Sequence, residues 1–168
     1  CAVKSDGTVW CWGLNENGAV GNGESGNDVF SCPQYPNGCH DWRYESLPVQ
    51  VIGIDDAVSV HGSCAIREGG KVSCWGRNDR GRFTSAPEAT VYPATEIPQF
   101  EGAVDLDVDR YSTCVAYQDG SALCRGGGFL GGGLPDTATR QYAEAVLPLE
   151  NVREIESVGY NSRCARMA

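Results

Sequence analysis

The chain reads as all-β, and three observations carry that reading. Short segments alternate apolar and polar residues at a period of two, as where Asp105, Asp107 and Asp109 interleave with Val104, Leu106 and Val108. Twenty-two glycines and 8 prolines against 41% hydrophobic residues give many tight turns and short strands. The cysteines also recur on a ruler: Cys64 to Cys114, Cys114 to Cys164 and Cys74 to Cys124 each span 50 residues. Cys1 to Cys64 and Cys11 to Cys74 each span 63, so the first unit of this repeat carries 13 additional residues.

Each unit opens with a hairpin. CAVKSDGTVWC (1–11) returns as CAIREGGKVSC (64–74) and CVAYQDGSALC (114–124), and half of it as CARMA (164–168). Ser5-Asp6-Gly7 fits a three-residue loop with Gly7 in the left-handed conformation. Val3 then faces Val9, Ala2 faces Trp10 and Cys1 faces Cys11, whereas a two-residue loop would set Cys1 opposite Trp12. Opposed antiparallel residues sit roughly 4.5–5.5 Å apart at Cα, within disulfide range. The spacing therefore predicts cross-strand bridges Cys1–Cys11, Cys64–Cys74 and Cys114–Cys124.

A turn follows each hairpin, WGLNENG (12–18), WGRNDRG (75–81) and the eroded RGGGFLG (125–131). Next come a variable loop, a Pro-led strand (PVQV, 48–51, and its counterparts at Pro98 and Pro148) and an alternating strand that runs into the next hairpin. VREIESV (152–158) has a spacing of three that suits a helical turn, but its counterparts favour strand. No window shows a convincing long amphipathic helix, and ATRQYAEAVL (138–147) is the best candidate for one. Four short strands in about 50 residues is the content of a propeller blade. Residues 1–168 thus form one repeat segment with units starting near 1, 64, 114 and 164 and an insertion at 24–46 in the first. The expected architecture is about three four-stranded propeller blades, a partial β-propeller or a segment of a longer blade array.

The remaining cysteines divide into a local pair, Cys32–Cys39, inside the insertion, and Cys164, which occupies the repeat position of Cys1 and is left unpaired or intermolecular. No CxxC spacing occurs and the histidines are only His40 and His61, so no metal site is expected. Regular opposed cysteines imply an oxidising compartment, secreted or cell surface. A net charge of −9, from 22 acidic and 13 basic residues, argues against nucleic acid as a partner. No stretch approaches the ~18 apolar residues of a membrane span. Asp105, Asp107 and Asp109 lack a calcium-loop glycine and terminal glutamate and read as a solvated acidic strand face.

The runs CAVKSDGTVWCWGLNENGAVGNG and CWGRNDRG, with the PVQV strand, resemble the regulator of chromosome condensation repeat family. The resemblance spans most of the chain outside the insertion and weakens in the third unit, where Arg125 stands for Trp and Gly128 for Asn. It implies a β-propeller, commonly of seven blades, and the double-cysteine hairpin is similar to that of extracellular bacterial relatives. It further implies that Trp12 and Trp75 pack between neighbouring blades. Gly13, Gly18, Gly76 and Gly81 would supply backbone conformations that side chains obstruct.

Function is read from surfaces, because propellers of one kind host many activities. Neither a nucleophile turn nor a phosphate-binding glycine loop is present, so no catalytic residue, cofactor or enzyme activity is expected. Paired cysteines and acidity do not suit the nucleotide-exchange activity of the family's nuclear founder. The expected role is a non-enzymatic extracellular module mediating protein–protein interaction. Its candidate contacts are Phe30, Tyr35, Trp42, Arg43 and Tyr44 of the insertion, residue types enriched at hot spots. The alternative is a structural segment of a cell-surface appendage or filament. Partners would be another protein, neighbouring copies of the chain, or further blades of the same longer chain.

Overall fold

A computed structural model describes residues 1–24, 26, 28–30, 42–84, 93–127, 130, 143–158 and 162–168. The described secondary structure is β-strands joined by turns and short 3-10 segments. Sheet 1 has the order β1 (Ala2–Val3), β2 (Val9–Leu14), β4 (Trp42–Gln50) and β3 (Asp28–Phe30). Sheet 2 holds β5 (Ala57–His61), β6 (Cys64–Arg67), β7 (Val72–Cys74) and β8 (Thr95–Glu96) in chain order. Sheet 3 likewise holds β9 (Ala103–Val108), β10 (Ser112–Tyr117), β11 (Ala122–Gly126) and β12 (Ala143–Val146). Sheet 4 pairs β13 (Val152–Ser157) with β14 (Arg163–Met167). These are three four-stranded blades and a two-stranded fourth, all antiparallel.

The hairpin register follows the cysteine spacing. Ala2 faces Trp10 and Val3 faces Val9, while Cys64 faces Cys74 and Cys114 faces Cys124. The first loop closes through Gly7 N–H to Lys4 O at 2.9 Å and Lys4 N–H to Thr8 O at 2.9 Å, with Gly7 at φ +77°. A Cβ on Gly7 would lie 2.4 Å from Asp55 O, at the approach to β5, so the turn glycine also lets one blade touch the next. Disulfides join Cys1–Cys11, Cys64–Cys74 and Cys114–Cys124, each with Cα atoms 4.0 Å apart, closer than ordinary opposed strand residues. Cys32 and Cys39 lie outside the described residues.

One local expectation changes. The prolines at 98 and 148 do not lead strands. Pro98 opens the 3-10 segment Pro98–Phe100 after β8, and Pro148 follows β12, whereas Pro48 lies within β4. Proline cannot donate to a ladder, and each unit places it where its neighbours permit. Hydrogen bonding identifies the true counterparts: Val51 N–H to Val9 O, Ile97 N–H to Val72 O and Leu147 N–H to Ala122 O, at 2.8, 2.8 and 3.0 Å. Of 138–147, the best candidate for a helix, Ala143–Val146 is strand β12 and the residues before it lie outside the described residues. Val152–Ser157 is strand despite its spacing of three.

Apolar cores lie between successive sheets. Val9, Cys11, Val51, Ile54 and Trp75 fill the first junction. Cys64, Cys74, Phe83, Phe100 and Leu106 fill the second. Cys114, Cys124, Leu130, Val152 and Ile155 fill the third. Each bridge thus faces the following blade, and because strand side chains alternate, the residue after its second cysteine faces the preceding one.

Candidate interaction surface

Trp75 shows what the WGxNxxG turn does. Its ring is fully buried at the first junction, and its Nε1–H donates to Ala19 O of the preceding turn at 3.0 Å. Arg125, which replaces Trp in the third unit, is 7% exposed and donates from Nε to Gly81 O at 3.1 Å. Arginine therefore serves the next junction by the same kind of bond to the preceding turn. Trp12 departs from the expectation: it is 51% exposed and packs between no blades among the described residues. Its neighbour Cys11 faces the first core, and Trp12 points to the opposite face of sheet 1. Leu14 (49% exposed) shares that face, and Tyr44, half-buried, lies opposite Leu14 across the β2–β4 ladder.

The asparagine of the turn was not singled out by sequence, although it recurs in both intact motifs. Asn15 and Asn78 are fully buried. Asn15 Oδ1 accepts from Val20 N–H at 3.1 Å, and Asn78 Oδ1 accepts from Phe83 N–H at 2.9 Å, each tying together a turn of six residues. In the first unit Asn15 Nδ2 also donates to Glu24 O and to Asn22 Oδ1, both at 3.1 Å, while Asn22 Nδ2 donates to Glu45 Oε1 at 3.0 Å. Glu45 is 7% exposed, so this polar cluster anchors the two arms of the insertion from beneath.

Above it, β3 and β4 pair Phe30 with Trp42, Val29 with Arg43 and Asp28 with Tyr44. Arg43 is exposed, and its Nη1 donates to Gly26 O at 3.4 Å. Tyr35 and the side chains of Phe30 and Trp42 lie outside the described residues. Arg43 and Tyr44 thus lie on β4, between β2 and β3, and the same strand carries Leu47, which is 73% exposed.

The aspartates form a seam, not a solvated face. Strands β9 and β13 lie side by side. Asp105 Oδ2 accepts from Ile155 N–H at 2.7 Å, Asp107 Oδ2 accepts from Ser157 Oγ, and Asp109 Oδ2 accepts from Arg163 Nη2 at 2.8 Å. Their side chains are 16%, 19% and 17% exposed. On the other side His61 Nδ1 lies 3.7 Å from Asp105 Oδ1. The alternation that reads as surface in one strand is here matched by the next inner strand, which uses the carboxylates to satisfy its free edge.

Carboxylates in two hairpin loops are also engaged. Asp6 Oδ1 accepts from Thr8 Oγ1 at 2.6 Å and Thr8 N–H at 3.0 Å, and these bonds, helped by Lys4, hold its pKa at about 2. Asp119 is lowered in the same way by the Ser121 hydroxyl and N–H. Among the described residues no group of three or more His, Cys, Asp or Glu side chains is arranged to hold a metal, and no helix is long and apolar enough to cross a membrane.

No curated protein sequence matches the chain. The fold is similar to that in the crystal structure of human WBSCR16, with a TM-score of 0.67 and 17% identity. That match covers 92% of this chain and 39% of the other, so this chain spans well under half of that length. Residues 1–19 and 59–82, which hold the first two cysteine hairpins and both intact WGxNxxG turns, match the regulator of chromosome condensation (RCC1) repeat.

Proposed function

We propose that this chain is a non-enzymatic β-propeller repeat module of an oxidising, extracellular compartment that binds another protein through the edge of blade 1. The observation that carries this reading is the insertion's anchorage. Buried Asn15 and Glu45 and half-buried Asn22 join residues 24 and 45, between which the sequence is rich in aromatic residues and arginine, and Trp12, Leu14 and Leu47 of the same sheet are exposed. Bridges at the same place in three hairpins support the compartment.

The test uses the purified chain with its bridges intact, immobilised against secreted proteins. A saturable partner should bind Trp42→Ala about tenfold or more weakly, with thermal stability unchanged. Equal affinity at equal stability would sink the assignment.

A second reading, a segment of a surface appendage or filament, is favoured by the exposed thiol of Cys164. Non-reducing electrophoresis and electron microscopy of native material would show cross-linked, regularly repeating assemblies under this reading. Dispersed particles without intermolecular bridges would remove it.

A further inference from the structure

The arginines of this acidic chain are not spread evenly. The turn after β7 places Arg77, Arg80 and Arg82 where the same turn of the first unit has Leu14, Asn17 and Ala19. That turn closes on its asparagine in both units, so the arginines are not needed to form it. Arg110 lies in the loop between β9 and β10, which is longer than its counterpart: His61 faces Cys64 across two residues, whereas Asp107 faces Cys114 across six. Tyr111 of that loop joins the two segments. Its N–H donates to Asp109 Oδ1 at 2.6 Å, and its C=O accepts from Gly127 N–H at 2.9 Å. The Arg80 and Arg110 guanidiniums lie 4.1 and 5.3 Å from the centre of its half-buried ring.

Arg82 is engaged within this face, donating to Arg77 O and to Asp109 O. Arg80 and Arg110 have no carboxylate partner among the described residues. Arg80 also holds φ +60°, a conformation that suits Asn17 at φ +59° in the first unit and disfavours arginine. A tyrosine flanked by arginines has the composition of a protein contact.

The other end of the same strands carries the complement. Glu68, in the hairpin loop before β7, and Glu101, just before β9, are exposed and have no cationic partner among the described residues. Gly102 N–H donates to Gly70 O at 2.9 Å, which joins their two loops. Arg80 follows β7 and Arg110 follows β9, so each strand runs from a carboxylate at one end to a guanidinium at the other.

We propose that the Arg80–Tyr111–Arg110 surface docks a second copy of this chain, whose Glu68 and Glu101 end seats on it. A copy shifted along the strands of blades 2 and 3 presents Glu68 and Glu101 to Arg80 and Arg110. The contact repeats from copy to copy, because its two halves lie at opposite ends of the same strands. Paired carboxylates and guanidiniums beside an aromatic ring combine charge complementarity with a hot-spot side chain. With a Debye length of about 8 Å at physiological salt, the facing patches act on each other while the net charge of −9 on each copy is largely screened. The contact is separate from the blade 1 surface and gives a row of copies a join that needs no disulfide.

Sedimentation velocity tests this on the purified chain, with its hairpin bridges intact and Cys164 alkylated, across about 1–100 µM. The unaltered chain should associate in this range, and raising the salt from about 0.05 to about 0.5 M should weaken association about tenfold or more. Arg80→Glu/Arg110→Glu and Glu68→Lys/Glu101→Lys should each sediment as monomers, with the melting temperature of the unaltered chain. An equimolar mixture of the two should associate again, because the intact glutamates of the first meet the intact arginines of the second. Both variants stay net negative, so net charge does not bring them together. A monomeric unaltered chain, association unaffected by either variant, or a mixture that stays monomeric would overturn the inference.

Discussion

Trp75→Ala tests the idea that each blade is held by the one before it. Trp75 is fully buried, against Val51 and the Ala19–Gly21 turn of the preceding unit. An aromatic side chain of this kind hides about 200 Å², which at about 25 cal/mol per Å² is worth up to about 5 kcal/mol. Truncation also leaves a cavity and strands Ala19 O without its donor, so a loss of about 3–5 kcal/mol is expected. Trp12 holds the same place in its own repeat but is 51% exposed. Half the area is buried there and solvent fills the space, so Trp12→Ala should cost about 1–2 kcal/mol. Urea unfolding followed by circular dichroism, with disulfides intact, resolves this difference as a midpoint shift of about 1 M or more. Equal losses for the two variants would refute the asymmetry and with it the inter-blade role of Trp75.

Further outcomes follow from the same geometry. Arg125→Leu should cost about 1–3 kcal/mol by leaving Gly81 O unpaired, and Arg125→Trp should retain more stability than Arg125→Leu in the same unfolding assay. Gly7→Ala should lose about 2 kcal/mol or more, because strain at φ +77° adds to a 2.4 Å approach to Asp55 O. Gly53→Ala, at φ +82° with open space around it, should lose only about 1 kcal/mol. Breaking a bridge by Cys64→Ser/Cys74→Ser removes a ten-residue closure worth about 3 kcal/mol, read as a lower melting temperature. Because the folded pKa of Asp6 is depressed to about 2, its contribution is present above the ordinary carboxylate range and fades as pH falls from about 4 toward 2. Asp6→Asn should flatten that part of the stability–pH curve, and an unchanged curve would exclude the role.

The hairpins were legible in the sequence because their information is local. Ser5-Asp6-Gly7 fixes a loop length, the loop fixes the register, and the register sets cysteine against cysteine. The burial of Trp75 was legible from the repeat as well, since a large ring after an inward cysteine needs something to lie on. Trp12 shows the limit of that inference, because a repeat position names a face without naming what covers it. The aspartates were illegible for a different reason: the donors that engage Asp105 and Asp107 lie 50 residues on, in β13, and alternation within one strand cannot reveal them. The Pro-led strand misled because sequence alignment by proline competes with alignment by hydrogen bond. At Val51, Ile97 and Leu147 the ladder decides. For the insertion, Asn15 and Glu45 are polar residues whose burial depends on closing arms 30 residues apart.

The cross-strand bridges also set how the chain responds to load. Tension applied along the backbone passes from Cys1 to Cys11 through the sulfur atoms, so residues 2–10 are excluded from extension, as are their counterparts in the next two hairpins. Each bridge withholds about 30 Å of contour length at about 3.4 Å per residue. A blade pulled from its neighbours therefore lengthens only through its turn, its variable loop and its inner strand. Reducing agents would act as a release, adding a fixed increment of reach for each bridge opened.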